Sequence, residues 1–415
     1  MPINFSSFNS PHLDSNIQLC HTIANRIITS PQKRITFAEY MDLVLYDPDH
    51  GYYTNAVKIG FKDSDFFTSV NLSHDFGELL AQQFLQMWEI LDQPSIFHLV
   101  EMGAGQGILA EQILHYIQQN YPDFFQSLHY IIIEKSPRLQ QQQKQRLQHL
   151  IDKLPLHWYQ WSDIAYKAII GCFFSNELVD AFPVHQFIIK DGQLQEIYVT
   201  ITEEEENNLI PQFQEEIAAV STSKLGEYLE LVGIDVSQFD SNAYENDYRS
   251  EINLAALQWL SIVADCLKSG YVLTIDYGYP AHRYYHPRRS QGTLQCYYQH
   301  RHHHNPYINI GKQDITAHVD FTALENWGKN CGLDTIGYTQ QGLFLMALGL
   351  GERLAYLSQT SQPIAQPISQ ILQRRQALHQ LIDPTGLGNF GVLIQSQGLT
   401  ETQRLQPLQG LKIPE

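Results

Sequence analysis

His98-Leu99-Val100-Glu101-Met102-Gly103-Ala104-Gly105-Gln106-Gly107-Ile108-Leu109-Ala110 reads as a strand, a tight glycine turn and the start of a helix. An apolar run ends in an acid, three alternate glycines follow, and a helix-forming segment closes the stretch. Such a turn lets bare backbone approach a ligand and aims helix N–H groups at it. A nucleotide-like cofactor fits there. The dinucleotide fingerprint Gly-x-Gly-x-x-Gly admits a pyrophosphate. It does not match, because position 108 is Ile. A plain turn between a core strand and a helix is the alternative.

The pattern Glu101-x-Gly103-x-Gly105-x-Gly107 resembles motif I of class I S-adenosylmethionine (SAM) methyltransferases. SAM carries a carboxylate for the helix N-terminus, and its sulfonium and amino groups favour a nearby acid such as Glu101. Downstream, Tyr130-Ile131-Ile132-Ile133-Glu134 is a short β-branched run ending in an acid, which suits a buried parallel strand. An acid at that position accepts hydrogen bonds from ribose hydroxyls, which makes Glu134 the ribose candidate. Ser136 is a better cap than Glu134 for the helix starting near Pro137. Asp163, after the third strand, is a candidate for the adenine amino group or, equally, a helix cap.

The 415 residues suffice for one large domain with insertions or for two domains. Residues 96–190 alternate strand and helix, which predicts an α/β fold with a doubly wound parallel sheet. That core resumes over 270–400. Residues 1–95 form a helical leader expected to pack over the cofactor end of the sheet. In it, Thr36 and Glu39 are spaced as a capping box, and a long helix runs from Ser73 to about Leu91. Residues 191–269 read as an insertion and a candidate substrate-binding subdomain. A hairpin over 183–200 with Asp191-Gly192 at its turn leads into it, Glu203 to Glu206 is an acidic run, and 207–269 has a helical pattern. Gln140 to Gln145 reads as a solvated helix face. Tyr277 to about Lys312 is a long loop, of a length that is usually functional or disordered. A helix follows near 320–331, then strands near 333–339 and 390–394.

The net charge of −18 makes a phosphate backbone a poor partner, so nucleic acid is not the expected substrate. A basic or neutral protein segment suits better. Five scattered cysteines without metal spacing predict reduced thiols and a cytoplasmic protein. No apolar run reaches membrane-spanning length.

Asn176-Glu177-Leu178-Val179-Asp180 follows the fourth predicted strand, where polar groups that touch ligands collect. Asn176 is counted with the cofactor residues. Glu177 and Asp180 are three apart, and two carboxylates suit a guanidinium, which presents its donors in a fork. An ordinary helix N-terminus capped by Asn176 is the alternative. Glu78 could reach the site from the leader or be a surface glutamate. His318 is a proton-shuttle candidate or a structural hydrogen-bonding group. Nearby, Asp320 is placed to cap a helix. His300, His302, His303 and His304 read as a solvated or substrate-lining loop, and no metal site is predicted.

In order along the chain, these blocks resemble one family. They are Thr36–Met41, Leu45–Tyr53, Asp65–Ser69, Phe76–Ala81, the glycine motif, Glu134-x-Ser136-Pro137, Asn176–Val184, Ile275–Gly278, Gly292–Gln295 and Thr316–Phe321. The family is MidA, comprising the mitochondrial complex I assembly methyltransferases and their bacterial relatives. The resemblance implies a SAM-dependent methyltransferase that dimethylates arginine on a protein, with a quinone-oxidoreductase subunit as the favoured target. Glu177 and Asp180 would then clamp the guanidinium, with Glu78 or His318 assisting. A SAM-binding assembly scaffold and a small-molecule methyltransferase are the alternatives, and a homodimer is left open. The chain departs from the family pattern at Ala104 and Gln106 in the glycine loop, at Val70-Asn71, at Asn305-Pro306-Tyr307, and at Gly388–Ile394.

Overall fold

A computed structural model describes residues 14–56, 69–190, 192–202, 210–239, 247–358 and 367–413. Asp191, the Asp65–Thr68 block and the Glu203–Glu206 run lie outside the described residues.

Seven strands build the main sheet: β1 (Phe97–Met102), β2 (Leu128–Ile133), β3 (Leu156–Tyr159), β4 (Ile169–Asn176), β5 (Leu267–Asp276), β6 (Asp334–Gln340) and β7 (Gly391–Gln397). Their order is β6-β7-β5-β4-β1-β2-β3. The five strands from β3 to β5 run parallel, and β7 is antiparallel to both of its neighbours. The strand order reverses between β1 and β4, the switch point beside which open α/β sheets bind ligands.

Side-chain alternation splits the core into two layers. On one face Leu99, Tyr130, Ile132 and Phe174 pack with the helices Asp75–Ile90 and Ile108–Asn120. On the other, Val100, Met102, Ile131 and Phe173 pack with Leu254–Cys266 and Phe321–Asn330. Both faces are covered, so the strands carry continuous apolar runs instead of a polar alternation.

The predicted helical pattern over 207–269 is only partly what forms. Phe213–Ala218 and Tyr248–Ile252 are strands. They join His185–Lys190, Gln193–Ile201 and the two-residue leader strand Ile35–Thr36 in a second, antiparallel sheet. The pattern misleads because Leu254–Cys266 is a true amphipathic helix that belongs to the main core. The long loop after β5 also carries structure. Gln295–Tyr298 pairs with Arg301–His303 on one side and Asp314–Thr316 on the other.

Capping follows the sequence reading closely. Glu39 N–H donates to Thr36 Oγ1 at 3.1 Å, Leu139 N–H to Ser136 Oγ at 3.3 Å, and Ala323 N–H to Asp320 Oδ1 at 3.2 Å. All five cysteines are free thiols. Among the described residues no helix is long and apolar enough to cross a membrane.

Candidate active site

The carboxyl ends of β1, β2 and β4 open into a cavity of about 700 Å³. Glu101, Gly103, Gly105, Glu134, Asn176, Glu177, Asp180 and His318 all line it. Gly107 stands just behind as the N-terminal cap of Ile108–Asn120. Gly103, Gly105 and Gly107 have φ of +73°, +52° and +75°, the left-handed region that favours glycine. A Cβ on Gly103 would meet the Leu178 side chain at 2.7 Å, whereas one on Gly105 would project into open space.

Glu101 is buried and accepts a hydrogen bond from the Tyr130 hydroxyl at 2.7 Å. Burial pushes its carboxyl up to about 7, with Glu134 adding to the rise and the Tyr130 bond opposing it. Glu134 is buried too, and desolvation raises it. One of its oxygens accepts from Ser136 N–H at 2.9 Å and the other from Gln143 Nε2 at 3.2 Å. Each carboxylate oxygen has a second lone pair, so ribose hydroxyls still find acceptors there.

The turn after β4 is held in a costly shape. Glu177 has φ of +53°, worth about 1–2 kcal/mol of strain for a residue with a Cβ. Asp276 at the end of β5 fixes the turn by accepting the N–H groups of Leu178, Val179 and Asp180 at 3.1, 2.8 and 3.4 Å. Glu177 N–H donates to Ile275 O at 3.0 Å. The result aims two carboxylates into the cavity, although Val179–Ala181 is a single tight 3₁₀ turn and not the start of a longer helix. Burial pushes Glu177 up to about 7, and its Oε1 accepts from Asn176 Nδ2 at 3.0 Å. Asp180 is raised well above the usual carboxylate range, by burial first and then by Asp276, Asp314 and Glu177.

Two expected residues stand elsewhere. Glu78 does not line the cavity; it pairs with Arg353, which also binds Asp75 at 2.6 Å. Asp163 is exposed and accepts Gln160 N–H at 2.7 Å, so it serves as a cap. His318 is in the cavity wall but packs its ring against Tyr277 and Tyr279, at 4.3 and 5.3 Å between centroids. Burial lowers it to about 3, with Arg289 contributing, so the imidazole is neutral at pH 7. None of His300–His304 lines the cavity, and among the described residues no group of His, Cys, Asp or Glu could hold a metal ion.

The chain itself tests whether SAM fits. The open space at Gly105 admits a ligand against bare backbone. The buried Oδ1 of Asn176 has no hydrogen-bond partner and calls for a donor. The raised Glu101 carboxyl calls for a cation. All three needs match a cofactor that carries an ammonium and a sulfonium.

Residues 79–339 match the family described as S-adenosyl-L-methionine-dependent methyltransferases. The chain belongs to that family. A crystal structure from Burkholderia thailandensis bound to S-adenosyl-homocysteine superposes on this methyltransferase with a TM-score of 0.80 and 28% identity, covering 96% of this chain and 95% of that one. The protein arginine methyltransferase NDUFAF7 homolog, mitochondrial, of Drosophila melanogaster is 29% identical over 374 residues, covering 85% of this chain and 79% of its own. Protein arginine methyltransferase NDUFAF7, mitochondrial, of Bos taurus is 28% identical over 425 residues, covering 95% and 88%.

Several residues of the methyltransferase site escaped the sequence reading. Gln143, expected on a solvated face, is fully buried and donates from Nε2 to Gly105 O at 2.8 Å and to Glu134. It ties the glycine loop to Glu134. Its spacing four residues after Leu139, also buried, was the available signal. Asp314 and Thr316, two residues apart on the strand Asp314–Thr316, line one side of the cavity, two residues before the His318 that the sequence did single out. Tyr46, Tyr53, Tyr277 and Tyr297 complete the wall; the first three lie in the blocks Leu45–Tyr53 and Ile275–Gly278, but none was given a role.

Proposed function

We propose that this enzyme transfers the methyl group of SAM to an arginine guanidinium on a protein. The observation that carries the reading is the convergence of Glu177 and Asp180 on the cavity that the glycine loop and Glu134 also line. The arginine methyltransferase names of the relatives support it. The family resemblance favours a quinone-oxidoreductase subunit as the target, methylated in the cytoplasm.

When bound, SAM supplies a methyl carbon already activated by its sulfonium. The chain then has to orient the acceptor, exclude water and take one proton. Glu101 would hold the cationic end of the cofactor and Glu134 its ribose. Glu177 and Asp180 accept hydrogen bonds from the guanidinium. The new N–C bond forms as the S–C bond breaks, and the nitrogen's proton passes to one of these carboxylates, leaving neutral S-adenosylhomocysteine.

The test uses SAM labelled in its methyl group and a protein extract from a strain lacking the enzyme. Acid hydrolysis should yield labelled methylarginine. Glu177→Gln and Asp180→Asn should each lower turnover by about 10²- to 10⁴-fold, the range for a proton-accepting group. SAM affinity should stay within about threefold, because neither substitution removes a cofactor contact. Label recovered on another residue type, or on small molecules alone, would refute the arginine reading.

A further inference from the structure

Between Asp276 and Asp314 the chain carries Arg283, Arg288, Arg289, Arg301 and Lys312 and no acidic residue, although the whole sequence has 26 lysines and arginines against 44 aspartates and glutamates. The fold gathers this basic run around one part of the cavity wall. Arg283 and Arg289 stand over the Tyr279 ring, 4.4 and 4.3 Å from its centroid. The Tyr279 hydroxyl is 3.3 Å from that of Tyr277, and its ring centroid is 5.3 Å from that of His318. Tyr277 and His318 line the cavity, and Tyr279 backs them. The two guanidiniums therefore lie one residue outside the wall, Arg283 exposed and Arg289 half-buried. Tyr297, also in the wall, pairs with His302 on the edge strand Arg301–His303. Gln299 and His300, with φ of +49° and +62°, form the two-residue turn that leads to the exposed Arg301.

These arginines differ from others in the chain. Arg34, Arg146, Arg249, Arg353 and Arg374 are each paired with a carboxylate. Among the described residues no ion pair engages Arg283, Arg288, Arg289 or Arg301. Glu325 shares the neighbourhood of Tyr338 with Arg283 and forms no ion pair with it. A guanidinium laid over a ring is held in place without losing its charge, and the contact does not use up its five donors. The cavity is lined by acids and takes a cation, whereas the surface beside it is cationic and takes an anion. A net charge of −18 disfavours an extended polyanion such as a nucleic acid or a lipid surface. A few carboxylates on a protein surface meet only the local positive field.

We propose that Arg283 and Arg289, with Arg288 and Arg301 beside them, form a docking surface for acidic side chains of the protein substrate near the residue that is methylated. The proposal rests on the protein-acceptor part of the reading above. It makes recognition bipolar: a cation enters the cavity while its acidic flank is held outside.

The experiment measures transfer of labelled methyl groups to increasing amounts of extract protein from a strain lacking the enzyme. Full-length wild type is compared with the double variant Arg283→Gln/Arg289→Gln and with the single variant Arg288→Glu. The control is Lys153→Gln/Lys268→Gln, which removes two exposed charges at the amino end of the main sheet, opposite the cavity. The double variant should raise the half-saturating extract concentration about three- to tenfold, the range for two surface ion pairs. Its maximal rate and its SAM dissociation constant by calorimetry should stay within about threefold, and the lysine control should stay at the wild-type value. Raising ionic strength from about 0.01 to about 0.15 M shortens screening from about 30 to about 8 Å, and should weaken wild type more than the double variant. Poly-L-glutamate should compete with extract protein for wild type and less for the variant. An unchanged half-saturating concentration in both arginine variants overturns the proposal, as does an equal loss in the lysine control. Inhibition by phosphatidylglycerol vesicles and not by poly-L-glutamate overturns it in favour of a membrane surface. If the double variant does not fold, Arg288→Glu decides alone. Label on a protein residue other than arginine refutes the arginine reading and leaves the docking surface standing where the variants behave as expected. Wild-type enzyme that labels no protein overturns both.

Discussion

The cofactor half of the cavity comes mainly from one stretch of chain, from Glu101 to Gln143, with Asn176 added from the end of β4, whereas the proposed acceptor half draws on the leader, the turn after β4, the small sheet after β5 and the segment before β7. The first half is local: strand, glycine turn, helix, strand, acid. Its hydrogen bonds close within about forty residues, as in Gly103 N–H to Ile133 O at 2.9 Å and Gln143 to Gly105 O. The second half is assembled by long-range contacts such as Tyr53 with Asp314 and Tyr46 with Ala181. Backbone geometry makes one half and collected side-chain charge makes the other, so the two should respond to different perturbations.

The sharpest way to break that division is Gly105→Val. A Cβ there meets no protein atom within 4 Å, so the new side chain enters the open space at the glycine loop, at a φ of +52° that a β-branched residue tolerates poorly. SAM affinity should fall at least about 100-fold. The circular dichroism spectrum should be retained, with the strain of about 1–2 kcal/mol showing as a lowered Tm. Calorimetry and thermal melts check this. Unchanged SAM affinity would remove the glycine loop from the site.

The same contrast explains what could be read beforehand. The glycine motif and the apolar β2 run are short-range patterns, so the doubly wound sheet, Glu101 and Glu134 could be anticipated from residues 98–134. Glu177 and Asp180 were legible as a pair because they share one turn. Asp314, Tyr53 and Tyr46 were not assigned, because nothing in their own segments, not even in the Leu45–Tyr53 block, says which distant residues they face. What brings them to the cavity is contact between distant segments, such as Tyr53 with Asp314, 261 residues apart, and strand pairing inside an apparent loop, such as Asp314 with Tyr297. Gln143 was misread for a related reason: composition marked its helix as polar, while a single buried position did the connecting.

A pH series sharpens the comparison, since burial pushes one carboxyl in each half to about 7. In the cofactor half, the charged form of Glu101 is the one that would attract a cationic cofactor. SAM affinity should therefore weaken as pH falls below about 7, by up to about tenfold per unit while a single proton is linked to binding. Glu101→Gln should flatten that curve. In the acceptor half, the proposed proton transfer needs Glu177 ionised, so kcat should rise with pH through the same region and Glu177→Gln should remove that limb. Stability runs the other way. Both folded carboxyls lie above their ordinary value near 4.5, so the stability they contribute is present below that pH and is lost as pH rises through 7. Added SAM should restore more of it at pH 8 than at pH 5. A binding curve that follows Glu177→Gln instead of Glu101→Gln would mean the halves are not electrostatically separate.

The smallest effects are expected at the two acids that belong to neither half. Glu78 is spent on Arg353, whose guanidinium also holds Asp75, while Arg374 grips Asp75 from a second helix. Glu78 is partly exposed, and Arg353 keeps its buried partner if Glu78 is neutralised. Glu78→Gln should therefore change Tm by no more than the equivalent of about 1 kcal/mol, the range for a solvent-screened ion pair. It should leave kcat and SAM affinity within about twofold. Asp163→Asn keeps an oxygen to cap Gln160 N–H and should be equally silent. Asp75→Asn is the informative contrast on the same helix, because it strands two arginines. Paired with them, Asp75 is lowered to about 2, so its stabilisation is present above pH 4 and is lost only as pH falls toward 2. A catalytic defect in Glu78→Gln without a matching fall in Tm would show that the leader helix reaches the chemistry, and that the acceptor half extends past the cavity wall described above.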